Sequence, residues 1–584
     1  MSEQRIERVD SIPLILYWLM KMRVQEIIDA IWYPHTNWQG LSYGQLAVLF
    51  LTYVLHRRTH RLSGMEEWVV DHQTLLEQIT GWRMGPKEAT DDRLGMLLDV
   101  LGGDEGERVC FQRQLGQHLI QAYALPTEVA RYDTTTFSVH HAPSKTDQTK
   151  RGMLRFGNSK DKRPDLLQFK QGLGTLDPAG VPLLTATLPG SAADDPLYVP
   201  AWRKMAQTIG HEDFLYVADC KAAALATRAT IDHEGGHYLF PLPMTGNVPK
   251  QLCQLVFNPP LKPALICLEG VTDEKDEARE VGCGFVVEKE RQAELENGAT
   301  HRWVEQWLVT QSTAHAKRQR KALQARLHKA EDALQRLKAK KEESKPEFQA
   351  RAERILQQRK VVDLISVEVE ETITSKKQYI GPGRPGPHRP YKMEEQYQLH
   401  LHFQRDEAAI ERQTRLAGWR IYVTNVSTAQ MSLNQAIAYY RDEWLVEHGF
   451  HRFKKGSLPV LPLFVRLLER IQGLMLLLMV ALQALTLIEF VARRELASQQ
   501  ETIAGLVPGN PKMKTTRPTA ERLLAQFTNL HLFVEETKAQ VTGRLVETLT
   551  PLQRRILALL NVPEVVYDIA FSQQVLESKF HNST

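Results

Sequence analysis

From about residue 126 to residue 242 the hydrophobic period of the chain changes, and this change limits the folds open to it. Before Pro126 the apolar residues recur at helical spacing. Over 128–139 the text turns rich in Val, Thr, Tyr and Phe, which suit a pleated, half-buried surface. Two more strands are expected over 166–176 and 182–188, joined by Asp177-Pro-Ala-Gly-Val, whose Pro and Gly mark a hairpin turn. A helix over 197–209, a strand over 214–218, a helix over 221–230 and a strand over 237–241 complete the series. Three strands in a meander followed by helix, strand, helix, strand call for an α/β fold around a mixed sheet.

Two carboxylates stand in this pattern. Asp133 lies in Val-Ala-Arg-Tyr-Asp-Thr-Thr-Thr-Phe, and Asp219 follows Phe-Leu-Tyr-Val-Ala. The strand order is that of a ribonuclease H-like core, where the first and fourth strands are neighbours, so the two residues are expected to converge. Carboxylates at the ends of buried strands are costly unless a cation joins them. A third, Glu447, falls on a helix predicted to run from Tyr440 to Lys454. An all-oxygen set suits two Mg²⁺ (or Mn²⁺) ions, which roughly 3.5–4 Å apart can clamp both the attacking and the leaving oxygen of a phosphodiester. Asp133, from the central strand, is expected to bridge the ions, with Asp219 and Glu447 holding one each. The residues therefore point to a metal-dependent enzyme acting on DNA.

On the predicted helix, Tyr440, Trp444, Glu447 and Lys454 step by four, three and seven and so share roughly one face. Tyr440 and Lys454 are expected to reach phosphates and Trp444 to stack on an unpaired base, while Leu445 and Phe450 pack inward. Lys145, Lys150, Arg151, Arg155, Lys160, Lys162 and Arg163 make the segment after the first strand basic, and it is expected to meet phosphates beside the carboxylates.

At 584 residues the chain should hold several domains. Residues 1–125 read as wholly helical, with His56-Arg-Arg-Thr-His-Arg61 as a basic elbow compatible with a helix-turn-helix DNA contact or a dimer contact. Residues 126–242 and 419–495 form the two parts of the core, separated by an insertion over 243–418. Within it Leu323, Leu327, Ala330, Leu334 and Leu337 make a short heptad seam, and Phe348, Ala352 and Ile355 continue on a returning helix. Ten Lys and Arg between 317 and 341 face only Glu331 and Asp332, so this hairpin is basic. Residues 361–374 look like a strand, and 380–390 like a rigid Pro/Gly linker that lacks the Gly-Lys-Ser/Thr ending of a phosphate loop. Residues 496–584 are read as helical. The apolar run 471–492 carries Gln472, Gln483 and Glu489, which favour a buried core helix over a membrane span. No secretion signal is evident, and five scattered cysteines without a C-x-x-C pair argue against zinc and a disulfide framework, so a cytoplasmic protein is expected. The net charge of +4 says little by itself, since location decides what charge does.

A family resemblance brings these pieces together. Tyr440-x-x-Glu443-x-x-x-Glu447-x6-Lys454 resembles the Y-x2-R-x3-E-x6-K signature of bacterial insertion-sequence transposases of the DDE class. Asp133-Thr-Thr-Thr resembles that family's first-aspartate strand, and Val217-Ala-Asp219 its second-aspartate motif. Gly157-Asn-Ser-Lys-Asp-Lys-Arg-Pro-Asp-Leu-Leu-Gln168 resembles its basic loop. The likeness spans about 40–495. It implies cutting of the element ends to free a 3′-hydroxyl, and attack of that hydroxyl on target DNA. It also implies partners: double-stranded DNA with terminal inverted repeats, target DNA, and a second copy of the chain on paired ends. Such work is done at the bacterial nucleoid. One departure stands out, Glu443 where the family has Arg, which implies a lost or relocated phosphate contact. The alternatives are a catalytically impaired, transposase-derived DNA-binding protein and a ribonuclease H-like nuclease or junction resolvase.

Overall fold

The computed structural model describes residues 3–574 apart from 86, 144–151, 161, 273–277, 341–342, 385, 389 and 538–539. Lys145, Lys150 and Arg151 of the expected basic segment lie outside the described residues. The described chain opens on a strand, β1 (Glu3–Arg8), and continues through the α-helices α1 (Ile12–Lys21), α2 (Val24–Ile31), α3 (Tyr43–Arg57), α4 (Met65–Asp71), α5 (Gln73–Thr80), α6 (Asp91–Gly103) and α7 (Glu105–Tyr123). Their starts follow capping chemistry. Ser42 and Gln45 form a reciprocal capping box on α3, and the Thr90 and Asp104 side chains accept backbone N–H groups at the starts of α6 and α7. The expectation of a wholly helical first region fails at β1, which pairs antiparallel with a strand near the far end of the chain.

The central series is β2 (Val129–Val139), β3 (Leu167–Leu176), β4 (Val181–Pro189), α8 (Tyr198–Ile209), β5 (Leu215–Ala218), α9 (Leu225–His233) and β6 (His237–Pro241). β2, β3 and β4 form an antiparallel meander, whereas β5 runs parallel to β2, and β6 parallel to β5. The resulting order, β4-β3-β2-β5-β6, makes a mixed α/β unit compatible with a ribonuclease H-like core.

The insertion carries α10 (Val248–Phe257), β7 (Ala264–Thr272), β8 (Ala278–Glu294), β9 (Thr300–Ser312), α11 (Thr313–Gln335), α12 (Lys345–Arg359), β10 (Ile365–Tyr379), β11 (Tyr391–Arg405), α13 (Glu407–Leu416) and β12 (Trp419–Thr424). The helical hairpin forms as the heptad seam requires: Leu323, Leu327, Ala330 and Leu334 are buried with Ala352 and Leu356. The expected rigid Pro/Gly linker over 380–390 lies between two strands of one ribbon, because β11 pairs with β10 over its whole length.

The chain then runs through α14 (Leu433–Arg441), α15 (Trp444–Lys454), α16 (Leu468–Ser498), α17 (Ala520–Leu524), β13 (His531–Glu536), β14 (Gln540–Leu545), α18 (Pro551–Leu559) and β15 (Phe571–Gln574). The last region is therefore not helical throughout. Its strands, four to six residues long, form the sheet β1-β13-β14-β15, and strands this short leave little periodicity to read.

Two compact units divide the chain, one of Met1–Phe240, Arg291–Trp303 and Tyr439–Thr584, the other of Pro241–Glu290 and Val304–Ala438. The first is built around α16. This helix is long and apolar enough to cross a membrane, yet it lies buried inside the protein, as its interrupting polar residues predict. Gln483 donates from Nε2 to the Pro182 carbonyl at 2.7 Å, and Glu489 accepts from Arg452, Arg493 and the Ala520 N–H. Each Leu or Ile fully buried here contributes roughly 1.5–3 kcal/mol. α6 crosses α16 where two glycines meet: a Cβ on Gly102 would stand 1.8 Å from the Glu469 carbonyl oxygen, and one on Gly473 would stand 2.3 Å from that of Leu98.

Candidate active site

The site begins with register. β2 pairs with β5 from Val129↔Leu215 to Tyr132↔Ala218. Asp133 is the next residue on β2 and Asp219 the first residue past the end of β5, so both carboxylates follow the last register pair of neighbouring strands, close enough for the Asp219 charge to act on Asp133. On its other side Asp133 faces Leu173 of β3. Asp219 is extended and caps the turn that follows, accepting from Lys221 N at 3.0 Å and from the Tyr198 hydroxyl at 2.5 Å. Asp133 accepts from Thr134 N at 2.7 Å and has Lys160 Nζ at 3.5 Å.

The electrostatics reflect this crowding. Burial raises the Asp133 pKa above the ordinary carboxylate range; Lys160 and the Thr134 N–H oppose it, and the Asp219 charge adds to it. Burial and the Asp219 carboxylate push the Tyr198 hydroxyl far up, which keeps it a donor. A buried carboxylate that sequence reasoning missed, Asp194, stands beside the pair. It accepts from Thr134 Oγ1 at 3.1 Å and is paired with Lys170 at 2.5 Å and with Lys221. Burial raises its pKa, but the two lysines outweigh that and hold it low. Asp194 is thus a neutralised support, whereas Asp133 has Lys160 beside it at 3.5 Å.

α15 lies over β2 and β3. A Cβ on Gly449 would come within 3.0 Å of Leu173 Cδ2, and Leu173 is the register partner of Asp133. Lys454 Nζ sits 5.8 Å from the centroid of the Phe137 ring, which points to the same side of β2 as Asp133. α15 therefore covers the face that bears Asp133. Leu445 and Phe450 are buried as expected, and Trp444 is exposed.

Tyr440 and Glu447 do not share one continuous helix. α14 ends at Arg441 and α15 starts at Trp444, and the link is a tighter turn: Glu443 N bonds to the Tyr440 carbonyl and Leu445 N to that of Asp442. The face inferred from even helical spacing is therefore broken at 442–443. Arg131, buried on β2 two residues before Asp133, holds this junction. It grips Asp177 through both carboxylate oxygens at 2.8 and 2.9 Å and donates from Nη2 to the Tyr439 carbonyl at 2.5 Å. A cation fits there because carbonyls at a helix C-terminus are electronegative. The signal was present in sequence as an Arg inside an apolar strand, as was Lys170.

The junction places Glu443, half-buried, within electrostatic reach of the pair. Burial raises its pKa most, then the charges of Asp133, Glu447 and Asp219, against a hydrogen bond with Tyr440. Glu443 thus joins the acidic group that the signature assigned to Glu447, while Glu447 is exposed one turn further along. Lys160 belongs to the site. Lys162 has a left-handed backbone at φ 58°, and Arg163 pairs with Asp165 at 2.7 Å. Among the described residues, no three His, Cys, Asp or Glu side chains approach closely enough to form a ready-made metal cluster. The oxygens of Asp133 and Asp219 are the residues that could hold a hard divalent cation here, with Lys160 partly neutralising Asp133.

No family model and no curated protein matches this chain. Among solved structures, a piggyBac transposase in a synaptic complex with hairpin DNA matches at 10% identity and a TM-score of 0.23. The match covers 50% of this chain and 60% of the transposase chain.

Proposed function

We propose that this chain is a DDE-class DNA transposase with a ribonuclease H-like core, which cuts insertion-sequence ends and joins the freed 3′-hydroxyl to target DNA. The observation that carries the reading is the β2–β5 register, whose last pair, Tyr132↔Ala218, precedes Asp133 and Asp219; α15, which bears Glu447, packs on the same sheet. Asp133, Asp219 and Glu447 would hold Mg²⁺ or Mn²⁺. Two such ions, when bound, supply an activated water and a stabilised leaving oxygen.

The protein's own residues prepare that site. Tyr198 fixes the orientation of Asp219, and Thr134 N–H fixes that of Asp133. Lys160 partly neutralises Asp133. Arg131 holds the end of α14 on the sheet and so fixes the junction that leads into α15. Lys454 and Tyr440 would meet phosphates of the cut strand, Lys162 and Arg163 the backbone further out, and Trp444 an unpaired base. The partners in this reading are duplex DNA with terminal inverted repeats, target DNA and a second copy of the chain, at the bacterial nucleoid.

The test is strand nicking of DNA carrying the inverted repeats that flank the coding sequence, with Mg²⁺ or Mn²⁺ against EDTA. Metal-dependent cuts that leave a 3′-hydroxyl, absent from Asp133→Ala, are expected. Cutting that survives in Asp133→Ala or in EDTA would refute it. One observation favours a second reading, a DNA-binding derivative without catalysis: Glu443 adds negative charge where the family signature has Arg. Wild-type protein that binds terminal DNA but never nicks it, even with Mn²⁺, would select that reading.

A further inference from the structure

We infer that the exposed face of α11 is a track for the phosphate backbone of duplex DNA, independent of base sequence. The inference rests on the reading of the chain as a DNA-processing protein and assigns a contact to an element outside the catalytic site. α11 and α12 close on one apolar seam, in which Leu323, Leu327, Ala330 and Leu334 are buried with Ala352 and Leu356. Burying that seam leaves Lys317, Arg318, Lys321, Lys329 and Arg336 exposed. From Lys317 to Arg336 the face rises about 28 Å, the length of about eight base pairs at about 3.4 Å each.

Charge identifies the occupant. Residues 313–360 hold fifteen Lys or Arg against six Asp or Glu, in a chain of net charge +4, so the remainder of the chain is net acidic. With every carboxylate counted, the hairpin keeps a large positive excess, and its acidic groups are engaged within the fold. Glu331 accepts from Arg405 at 2.6 and 2.7 Å, Glu343 accepts from Arg351 at 2.7 and 2.5 Å, Glu347 closes the capping box with Ser344, and Asp332 lies 3.7 Å from His328. Between Thr313 and Ala330 there are six Lys or Arg and no Asp or Glu. Lys317 and Lys321, four apart, repel one another along the helix, as do Arg318 and Lys321, three apart. The first turn of α11 has no acidic residue, although carboxylates are favoured at that end of a helix. His315 senses the accumulated charge: burial lowers its pKa first, and Arg420 and Arg318 lower it further. A face that served solubility alone would intersperse both signs. This one carries a field of one sign, complementary to a polyanion. α11 contains no Phe, Tyr or Trp. Sites for single strands add aromatic platforms on which bases stack, so the face suits the phosphates of an intact duplex, which position a protein without reading sequence.

The test uses the full chain in EDTA, so that nothing is cut, with fluorescence anisotropy on two duplexes, one carrying the flanking inverted repeats and one unrelated. Lys317→Gln/Arg318→Gln/Lys321→Gln should bind both duplexes about a hundredfold more weakly at about 0.15 M salt and flatten the log–log salt slope by about 2.7, which is about 0.9 for each phosphate contact. Its thermal midpoint should not fall, because the three cations repel one another. Lys317→Arg/Arg318→Lys/Lys321→Arg should keep wild-type affinity and slope. Lys329→Gln/Arg336→Gln, at the far end of the face, should flatten the slope by about 1.8, and it gives the decision where the triple Gln variant is unstable. Affinity within about twofold of wild type and an unchanged slope in the Gln variants would overturn the inference. So would a loss confined to the inverted-repeat duplex, since a backbone track is blind to sequence. Retained duplex affinity with a lost oligomeric state would overturn it too, because the occupant would then be a second copy. Wild type that binds terminal DNA while the Gln variants bind it equally well would sink the track alone; wild type that binds no duplex would sink the transposase reading with it.

Discussion

Replacing Arg452 with Met should loosen the helix that carries Glu447. Arg452 lies on α15 with 2% of its side chain exposed, and it joins two carboxylates on other elements: Glu489 of the buried helix α16, and Glu521 of α17 at 2.9 Å. Ser457 Oγ donates to Glu521 at 2.7 Å. Burial alone would raise the Glu521 pKa; Arg452 and then Ser457 overcome that and bring it from its ordinary 4.5 down to about 2. That difference is worth roughly 3 kcal/mol of folded-state stability. Breaking a buried pair by removing one partner costs about 3–5 kcal/mol, the same interaction counted from the other side, and the two figures agree. Because the pKa is depressed in the folded state, this stability is fully present above pH 4.5 and is lost as the pH falls towards 2. Hydrogen exchange of the α15 amides at pH 7 is the assay of choice, since a chain of several parts does not unfold in one step. Arg452→Met should lower α15 protection by about a hundredfold, and the acid-linked loss seen in wild type should vanish. The double variant Arg452→Met/Glu521→Gln should recover part of the protection. Protection within about twofold of wild type in Arg452→Met would refute the reasoning.

The remaining predictions concern the acidic group and the crossing of α6 and α16. Asp219→Ala should abolish metal-dependent nicking while leaving terminal-DNA affinity nearly unchanged, as read by gel shift. Glu443→Gln should stabilise the protein at pH 8 and not at pH 4: a raised carboxyl pKa makes the folded state lose stability as the pH rises, and at low pH both side chains are neutral. Equal gains in thermal midpoint at both pH values would count against it. Glu443→Arg, which supplies the cation found at this place in the signature the sequence resembles, should steepen the log–log salt dependence of DNA binding by about 0.9. Gly102→Ala should cost at least about 1–3 kcal/mol in thermal unfolding, because its Cβ would collide with the backbone of α16 rather than with a side chain that can move.

The legible part of the site was its strand chemistry. Asp133 and Asp219 could be placed because each follows an apolar run, and the order of elements says which runs become neighbours. The support around them was not legible. Asp194 comes from a loop, and its lysines come from a strand and a turn, so no local pattern links them. Glu443 looked only like a departure from a signature. The break at 442–443 sets which glutamate stands near the pair, and helical spacing treats that stretch as uniform.

Local periodicity determined most of the helices, the β2–β6 series and the α11–α12 hairpin, because one buried face leaves a repeating mark in the sequence. It also determined that α16 would be buried, through the polar residues in its apolar run. The tertiary structure alone decided the rest. β1 finds β13 more than five hundred residues away, and strand pairing at that distance leaves no periodic trace. β11 went unread although Tyr397, Leu399, Leu401 and Phe403 alternate with polar residues; only the structure shows that Leu401 and Phe403 use that alternation to pack on the α11–α12 core. Two carboxylates came within electrostatic reach only when β2 and β5 paired in register: sequence sets where a charge sits along a strand, and only packing sets which other charge it must share space with.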